Sequence, residues 1–368
     1  MVVPYKPNGL PPKDINWIKL ITLIGQANAE LARYDGVLQG ILNPKVLLSP
    51  MMTNEAVISS KIEGTQATLE EVLEYEALPE KMDINDKKYH DIKEILNYRY
   101  AMFHCTNWLK KKPVTLNLIK EIHYILLDSV RGQDKGRGMF RTVQNWIGNP
   151  GDTIEQASYV PPEPHHLMGH LSNLEIYFHK EEKDRLVQLA IIHAQFEMIH
   201  PFVDGNGRVG RILIPIFLFE KGLLHSPDFY ISGYFDANRD EYFRRLSDIS
   251  KDGRWDEWIE YFLKAVIEQS KNNCSKAKSV LDLYEVKKDK IASVTRSHYA
   301  NRIVDTLFKK PIFNTTDFTK TSKIPKASSI RLLKILKDNK IISTLRKSDG
   351  RTPEIMSFDK LLDIVAQY

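Results

Sequence analysis

Apolar residues recur three and four positions apart along most of this chain, which is the spacing of an amphipathic helix. The clearest run extends from Ile15 to Tyr34, with Asp14 placed to cap its first turn. No stretch before residue 140 alternates with the two-residue period of a strand. The sequence therefore predicts a mainly α-helical protein, with helices over residues 15–34, 51–62, 68–77, 88–110, 116–128, 165–179, 184–199, 206–221, 238–250, 254–270 and 270–290.

The segment from 132 to 164 interrupts this helical pattern. Glycines and prolines are dense there and alternate with β-branched and aromatic residues such as Val143, Trp146 and Tyr159. This composition predicts a loop that carries one short β-hairpin.

The last part of the chain differs from the rest in both pattern and charge. Three short helical patterns, at 299–308, 315–320 and 327–338, are followed by two apolar stretches, which predicts a winged helix with a two-stranded wing. Residues 271–352 carry 20 Lys and Arg against 7 Asp and Glu, whereas residues 1–270 carry 31 against 37. A basic winged helix favours DNA as a partner, but such modules also bind proteins, and the sequence leaves both open.

Length and composition limit the remaining choices. A chain of 368 residues with 42% hydrophobic and 27% charged residues has the composition of a globular protein with more than one domain. The predicted divisions are an N-terminal helical region (1–110), a catalytic core (111–270), a linker helix (271–295) and a winged-helix domain (296–368). Cys105 and Cys274 are far apart, which argues against a disulfide framework or a zinc site. No signal sequence or apolar run of about 20 residues is found, so we expect a cytoplasmic protein that does not enter a membrane.

The densest group of reactive residues is the segment His200-Pro-Phe-Val-Asp-Gly-Asn-Gly-Arg-Val-Gly-Arg211, between two predicted helices. Gly205 and Gly207 allow backbone geometry that other residues avoid and lead into a helix N-terminus, where free N–H groups bind anions. Arg208 and Arg211 are three positions apart and project from nearly one face of the first turn. This arrangement predicts a site for a polyphosphate.

Two further residues of this segment suit nucleotide chemistry. Asp204 is a hard oxygen ligand of the kind that binds Mg²⁺. His200 ends a helix beside cationic groups and can act as a neutral general base on a hydroxyl. Phe202 is expected to point into the core. The plainer interpretation, a helix start with an acidic partner, explains fewer of these residues, and a metal pair of His193 with His200 lacks further ligands, so His193 is expected in the core.

The segment resembles the signature of the Fic (filamentation induced by cAMP) family, H-P-F-x-(D/E)-G-N-G-R-x-x-R, at every fixed position. The resemblance implies a Fic helical bundle with a β-hairpin flap and a protein adenylyltransferase, which moves AMP from ATP to a Ser, Thr or Tyr hydroxyl of a target protein and releases pyrophosphate. Relatives with Lys at the second glycine are kinases, and Gly207 argues against that activity. The resemblance implies these roles: His200 as base, Asp204 as Mg²⁺ ligand, Asn206 on the α-phosphate, Gly205 and Gly207 as anion donors, and Arg208 and Arg211 on the phosphates.

Two neighbouring segments extend the resemblance. The stretch Ala157-Ser158-Tyr159-Val160 matches the family's flap, whose backbone edge can pair with an extended target segment. An ordinary surface hairpin is the alternative. Tyr234 and Tyr242 resemble residues that flank the adenine, and core packing is an equally good role for either ring.

A second motif, Ser59-Ser-Lys-Ile-Glu63-Gly64, matches the inhibitory pattern (S/T)-x-x-x-E-(G/N), located N-terminal to the core. Ser59 and Glu63 share one helix face, and the carboxylate can form a bidentate pair with Arg211. The resemblance implies that Glu63 excludes ATP or holds it in an unproductive pose, so the enzyme is silent by default. In some relatives this glutamate also aligns water for removal of AMP, and the sequence leaves that role open.

Two functions therefore compete. The first is an autoinhibited AMP transferase with an attached winged helix, and the second is a DNA-binding regulator whose Fic region senses nucleotide. The intact His200 favours the first, because a sensor needs the phosphate cradle but not the base. Similar proteins form homodimers, which leaves a homodimer open for this chain.

Overall fold

The computed structural model describes residues 3–41, 43–79, 86–130, 134, 136–148, 151–350 and 352–367. Within them the chain is mainly helical, as the apolar spacing predicts. The helices are α1 (Trp17–Gln39), α2 (Pro44–Leu47), α3 (Ser49–Ile62), α4 (Leu69–Ala77), α5 (Lys87–Trp108), α6 (Leu116–Leu126), α7 (Leu167–His179), α8 (Arg185–Ile199), α9 (Asn206–Glu220), α10 (Ser232–Ala237), α11 (Arg239–Asp252), α12 (Trp255–Thr295), α13 (Ala300–Lys309), α14 (Thr315–Ser322), α15 (Lys326–Asp338) and α16 (Asp359–Ala366). The strands are β1 (Ile312–Asn314), β2 (Ser343–Arg346) and β3 (Ile355–Ser357).

The capping residues explain where several of these helices begin. Helix α1 starts after Asn16, whose side-chain oxygen accepts the N–H of Lys19 at 3.1 Å. The prediction of Asp14 as the cap was therefore wrong, because the backbone N–H of Asn16 is held by Asp256 and fixes the start two residues later. Thr115 caps α6 as predicted.

Helices α8 and α9 form the centre of the molecule. Nearly every residue of both is buried, which accounts for their lack of a polar face. Their main neighbours are α5 and α6 around α9, and α7 and α12 around α8. A pair of helices buried in this way holds the turn between them, residues 200–205, in one place.

Helix α12 is a single helix of 41 residues. The sequence predicted two helices, 254–270 and 270–290, and this was wrong because neither glycine nor proline occurs between Trp255 and Thr295 to end the first one. The helix packs along α1 and also against α13 and α16. It therefore links the predicted core to the C-terminal region without a break.

The C-terminal region contains a three-stranded antiparallel sheet in the order β1-β3-β2. Ile312 pairs with Ser357 and Ser343 pairs with Ser357 on the other side of β3. The short β1 was not predicted, since three residues carry too little periodicity to detect, and the last helix α16 was not predicted either. Helices α13 to α15 with this sheet are compatible with the predicted winged helix.

This region packs against the N-terminal helices through polar contacts. Asn314 donates to the carbonyl of Ala77 at 2.7 Å, and Asn54 of α3 donates to the carbonyl of Val365 at 3.1 Å. None of the helices in the described part of the chain is long and apolar enough to span a membrane. Both cysteines are free thiols.

The predicted β-hairpin is reduced to one antiparallel bridge, between Ile147 and Tyr159, among the residues that the structure describes. The ladder does not extend beyond Tyr159 on one side because Pro161 and Pro162 have no N–H to donate. On the other side, residues 149 and 150 lie outside the described part.

Candidate active site

The turn between α8 and α9 depends on two residues with positive φ. His200 ends α8 with φ 48° and ψ 63°, and Gly205 precedes α9 with φ 79°. Gly205 takes this conformation without cost, as predicted, whereas for a histidine it costs about 1–2 kcal/mol. The backbone at His200 is therefore held in place by its surroundings rather than by its own preference.

The side chain of Asn206 stabilises the turn through two hydrogen bonds to its backbone. Its side-chain oxygen accepts the N–H of Phe202 at 2.8 Å, and its amide nitrogen donates to the carbonyl of the same residue at 2.9 Å. The sequence predicted Asn206 on the α-phosphate, but here both ends of its amide bind the turn. Phe202 is fully buried, as expected.

His123 of α6 supports the same turn and was missed by the sequence analysis. Its ring stacks on Phe202 with centroids 3.8 Å apart. Its Nδ1 accepts the N–H of Gly138 at 2.9 Å, so its Nε2 carries the proton and donates to the carbonyl of Asp204 at 3.0 Å. Only the helical fold brings residue 123 beside residue 204, and no local motif indicates it.

His200 has the properties of a base at neutral pH. Its Nδ1 lies 3.3 Å from the carbonyl of Glu197, which can only accept, so Nδ1 carries the proton and Nε2 carries the lone pair. Burial lowers the pKa of His200 to about 4, and the charge of Arg141 acts in the same direction. The imidazole is therefore neutral at pH 7, as a general base must be.

Glu63 and Ser59 bind the guanidinium of Arg211. Arg211 donates from Nη2 to Glu63 Oε1 at 2.6 Å, from Nη2 to the carbonyl of Ser59 at 2.8 Å and from Nε to Ser59 Oγ at 2.9 Å. The sequence predicted a bidentate pair, but one carboxylate oxygen makes the contact, and Ser59 accepts from Nε and from Nη2. Burial opposes ionisation of Glu63, but the charge and hydrogen bond of Arg211, together with the charge of Arg208, outweigh it and hold the pKa of Glu63 below its ordinary value.

The Glu63 carboxylate lies directly against Gly207. A Cβ atom at position 207 would lie 2.1 Å from Glu63 Oε1 and 2.9 Å from Arg211 Nη1. The carboxylate thus occupies the first turn of α9, where the sequence predicts a phosphate. Gly64 follows with φ 96° and lets the chain leave α3 at this point.

Arg208 also has a carboxylate partner, one that the sequence analysis missed. Its Nη1 donates to Glu94 of α5 at 2.8 Å, and both side chains are about 95% buried. The hydroxyl of Thr65, two residues after Glu63, donates to the same glutamate oxygen at 3.1 Å. Glu94 therefore connects the arginine of α9 to the segment that follows α3.

Asp204 meets the requirements of a Mg²⁺ ligand. Its side chain is 36% exposed, lies 3.7 Å from Arg208 Nη2 and offers hard oxygen atoms next to the predicted phosphate position. Its backbone is fixed by His123, so the direction of the carboxylate is restricted. These properties fit an ion held by one carboxylate and completed by phosphate oxygens and water.

Glu197 is a further buried acid that the sequence analysis did not identify. Its Oε1 makes no hydrogen bond to the described residues, and a Cβ atom at Gly210 would lie 2.1 Å from that oxygen. Burial raises the pKa of Glu197 to about 8, and the nearby Glu63 contributes to the rise while Arg211 opposes it. The acid is therefore neutral at pH 7 and does not repel an anion at Arg211.

The remaining predicted residues lie further from the turn. Tyr242 is buried and its hydroxyl donates to Nε2 of His193 at 2.9 Å, which corresponds to the core-packing alternative. His193 also bonds the carbonyl of Gly210, so it is a core histidine and does not pair with His200. Tyr234 is half-buried and packs near Tyr261.

The flap residues are anchored on both sides. Tyr159 donates from its hydroxyl to the carbonyl of Met198 in α8 at 2.7 Å, and Ser158 binds the carbonyl of Ile147. The carbonyl of Val160 accepts the N–H of Tyr5 at 2.9 Å. The N-terminal segment thus pairs with the flap at one point, and Ala157 lies at the opposite end of this stretch.

Comparison with known families agrees with this arrangement. The family described as "Fic/DOC family N-terminal" matches residues 21–107, and the family described as "Fic/DOC family" matches residues 113–218. The two matches together contain α3, α8 and the turn that leads into α9. The chain belongs to the Fic/DOC family.

Relatives with assigned names share part of the chain. "Protein adenylyltransferase Fic" of Drosophila grimshawi is 30% identical over 165 residues, which are 44% of this chain and 32% of that protein. A "probable protein adenylyltransferase" of Aquifex aeolicus is 43% identical over 70 residues, 19% of this chain and 22% of that protein. The chain thus spans about a third of the length of the fly protein.

Solved structures support the fold. A Fic family protein from Desulfovibrio desulfuricans superposes with a TM-score of 0.60 at 18% identity and covers 95% of this chain and 98% of its own. Fic-1 of C. elegans superposes with a TM-score of 0.52 at 18% identity, over 72% of this chain and 74% of its own.

Proposed function

We propose that this chain is a protein adenylyltransferase that its own helix α3 keeps inactive. It would transfer AMP from ATP to a Ser, Thr or Tyr hydroxyl of a target protein, or of itself, in the cytoplasm. The observation that carries the proposal is the Glu63 carboxylate at 2.6 Å from Arg211 and against Gly207. An anion already occupies the turn that a nucleotide phosphate needs.

The proposed transfer forms a bond between the target oxygen and the α-phosphorus and breaks the bond to pyrophosphate. The neutral Nε2 of His200 accepts the hydroxyl proton as the new bond forms. At the start of α9, the α- and β-phosphates would contact Gly205, Asn206 and Gly207. Arg208 would bind a phosphate in addition to its present partner Glu94. Tyr234 would contact the adenine.

Asp204 would hold the Mg²⁺ ion, which neutralises part of the phosphate charge when it is bound. The residues of this chain would orient the nucleotide and position the base His200. The flap residues 157–160 would bind an extended target segment beside His200.

Inhibition follows from competition between two anions for Arg211. While Glu63 is paired with Arg211, the γ-phosphate lacks its arginine, so ATP is excluded or bound unproductively. Activity then depends on how often α3 leaves this position. Glu63 can also act in the reverse reaction, by orienting water for the removal of AMP, and a homodimer would offer another means of controlling α3.

The deciding experiment measures incorporation of α-labelled ATP into protein by the purified chain with Mg²⁺. Wild type, Glu63→Gly and Glu63→Gly with His200→Ala are compared. We expect label only in the Glu63→Gly variant, since it frees Arg211 and keeps the base. Equal label in all three proteins would rule out both inhibition by Glu63 and the role of His200 as base. If Glu63→Gly removes AMP from modified protein more slowly than wild type, Glu63 also acts in the reverse reaction.

A second candidate function is a DNA-binding regulator that senses nucleotide. Lys326, Arg331 and Lys334 are exposed on one helix, α15, of the basic C-terminal region. These side chains can reach the phosphates of a duplex. Fluorescence anisotropy with a labelled 20-base-pair duplex tests this, with Arg331→Ala against Lys264→Ala, an exposed lysine of α12, as the control. Binding that is lost in the first variant only, without AMP transfer by any variant, would favour the regulator.

A further inference from the structure

Arg141 is a buried arginine whose guanidinium binds backbone carbonyl groups. Its side chain lies between the flap and the end of α8, and the residue is only 4% exposed. Among the described residues it forms no ion pair, and its donors reach backbone carbonyls at the end of α8, at the root of the flap and in its own loop. Nε donates to His200 at 2.9 Å, Nη2 to Ile199 at 3.4 Å and Pro162 at 2.5 Å, and Nη1 to Val143 at 3.3 Å.

On the side of the catalytic turn, Arg141 binds the last carbonyl groups of α8. Ile199 and His200 lie at the C-terminus of the helix, where carbonyls lack partners within the helix and favour a cation. The backbone N–H of Arg141 also donates to the carbonyl of Pro201 at 2.9 Å. Arg141 thus contacts the backbone of three successive residues and fixes the left-handed conformation of His200.

On the other side, Arg141 binds the root of the flap. Pro162 lies two residues after the flap residues 157–160, and its carbonyl and that of Ile199 both accept from Nη2 of Arg141. The flap is attached to α8 a second time by the hydroxyl of Tyr159 on the carbonyl of Met198, at 2.7 Å. The catalytic histidine and the flap are therefore joined through one rigid planar group.

We propose that Arg141 is a positioning residue that sets the distance between His200 and the flap, and thereby places the target hydroxyl against the base. This inference rests on the proposed AMP transfer. Lysine keeps the charge but has a single nitrogen that cannot span the carbonyls of both segments. Arg141→Lys therefore separates the geometry of the fork from the presence of a charge.

The test is made in the Glu63→Gly background, where activity is expected. Arg141→Lys should lower the rate of automodification with α-labelled ATP about 30-fold or more, because small misplacements of reacting groups have effects of this size. The Kd for ATP, measured by calorimetry, should change less than about threefold, since Arg141 does not contact the residues 205–211. Arg137→Lys is the matched control: this arginine lies in the same loop but binds Tyr124 and Asp128.

A double-mutant cycle tests the connection to the flap. Tyr159→Phe removes the hydroxyl bond to Met198 and leaves the ring, and it also serves if Arg141→Lys folds poorly. We expect the two changes to be non-additive by at least about threefold in rate, because both attach the flap to the same end of α8. Independent effects, or an automodification rate in Arg141→Lys equal to that of the parent, would overturn the inference.

Hydrogen exchange gives an answer that does not require activity. In Arg141→Lys, peptides from residues 157–162 and from residues 198–204 should both exchange faster than in Arg137→Lys, because one side chain holds both segments. Faster exchange in only one of them contradicts the proposal. If Glu63→Gly is inactive, the proposed transfer is what fails, and this comparison decides the role of Arg141 by itself.

Discussion

The carboxylate of Glu63 and the guanidinium of Arg211 form a 2.6 Å ion pair across 148 residues of sequence. Arg211 is fully buried at the start of α9, whereas the Glu63 side chain is 35% exposed at the end of α3. The arginine is therefore fixed and the glutamate is the partner that can leave. This asymmetry makes the pair suitable for regulation, because release requires movement of one helix end only.

Ser59 is expected to contribute to the docking of α3, but less than Glu63. Ser59→Ala removes the Oγ acceptor of Arg211 Nε and leaves the Ser59 carbonyl and Glu63 in place. A lost hydrogen bond to a charged group is worth about 1.5–3 kcal/mol, so we expect AMP transfer to rise about tenfold or more above wild type. Incorporation of label from α-labelled ATP into protein measures the rate of AMP transfer. The neighbouring Ser60→Ala is the control, since the Ser60 hydroxyl makes no hydrogen bond to described residues; equal effects of both changes would exclude a specific role for Ser59.

Gly207 is expected to be essential because of the space it leaves. In the Glu63→Gly background, Gly207→Ala places a methyl group 2.9 Å from Arg211 Nη1, in the position proposed for phosphate. We expect AMP transfer to fall about 100-fold, which is the size of effect seen when an anion-binding group is disturbed. Gly169→Ala in α7 has open space around it and serves as the control. Full activity of the Gly207→Ala variant would place the phosphate elsewhere.

The buried pair of Arg208 and Glu94 is expected to matter for both stability and nucleotide binding. Glu94→Gln leaves the Arg208 charge without its partner at 2.8 Å, and breaking a buried pair costs about 3–5 kcal/mol. Thermal unfolding of Glu94→Gln should show a lower Tm. ATP should raise the Tm of this variant more than it raises the Tm of the protein with Glu94 intact, because a phosphate replaces the lost carboxylate. Glu76→Gln breaks a partly exposed pair with Arg99, also at 2.8 Å, and should lower the free energy of unfolding less, by about 1 kcal/mol. A similar fall in Tm for Glu94→Gln and Glu76→Gln would contradict the prediction that burial makes the Arg208–Glu94 pair more important for stability.

Glu55 is expected to make the protein less stable as the pH rises. It is buried in α3 and accepts the hydroxyl of Ser232 at 2.5 Å. Burial raises the pKa of Glu55 from 4.5 to about 7. Between these two pKa values the unfolded chain releases the proton and the folded chain keeps it, so the free energy of unfolding falls by about 3 kcal/mol as pH rises through this window.

Glu55→Gln removes this dependence, because its amide oxygen can accept from Ser232 but cannot ionise. The variant should be more stable than wild type at pH 8, and its Tm should vary less between pH 5 and 8. Glu181→Gln, at a side chain that is 95% exposed, is the control. A Glu55→Gln variant whose Tm follows the wild-type pH profile would show that Glu55 is ionised in the folded protein.

Much of the molecule follows from local sequence. The helical spacing of apolar residues indicates nearly all helices, Thr115 marks the start of α6, and the twelve residues from His200 to Arg211 identify the turn and its family. Ser59 and Glu63 are four positions apart, which is enough to put them on one helix face. These are properties of neighbours along the chain, and neighbours can be read without knowledge of the fold.

Tertiary packing decides the partners of these residues. Glu94, His123 and Arg141 act on the turn from helices and loops more than 50 residues away, and no spacing rule connects them to it. Asn206 binds the backbone of Phe202, only four residues earlier, and the sequence did not indicate this partner either. Sequence determines which groups a segment can offer, but burial removes water as the alternative partner, and only the packed structure then selects which groups must meet.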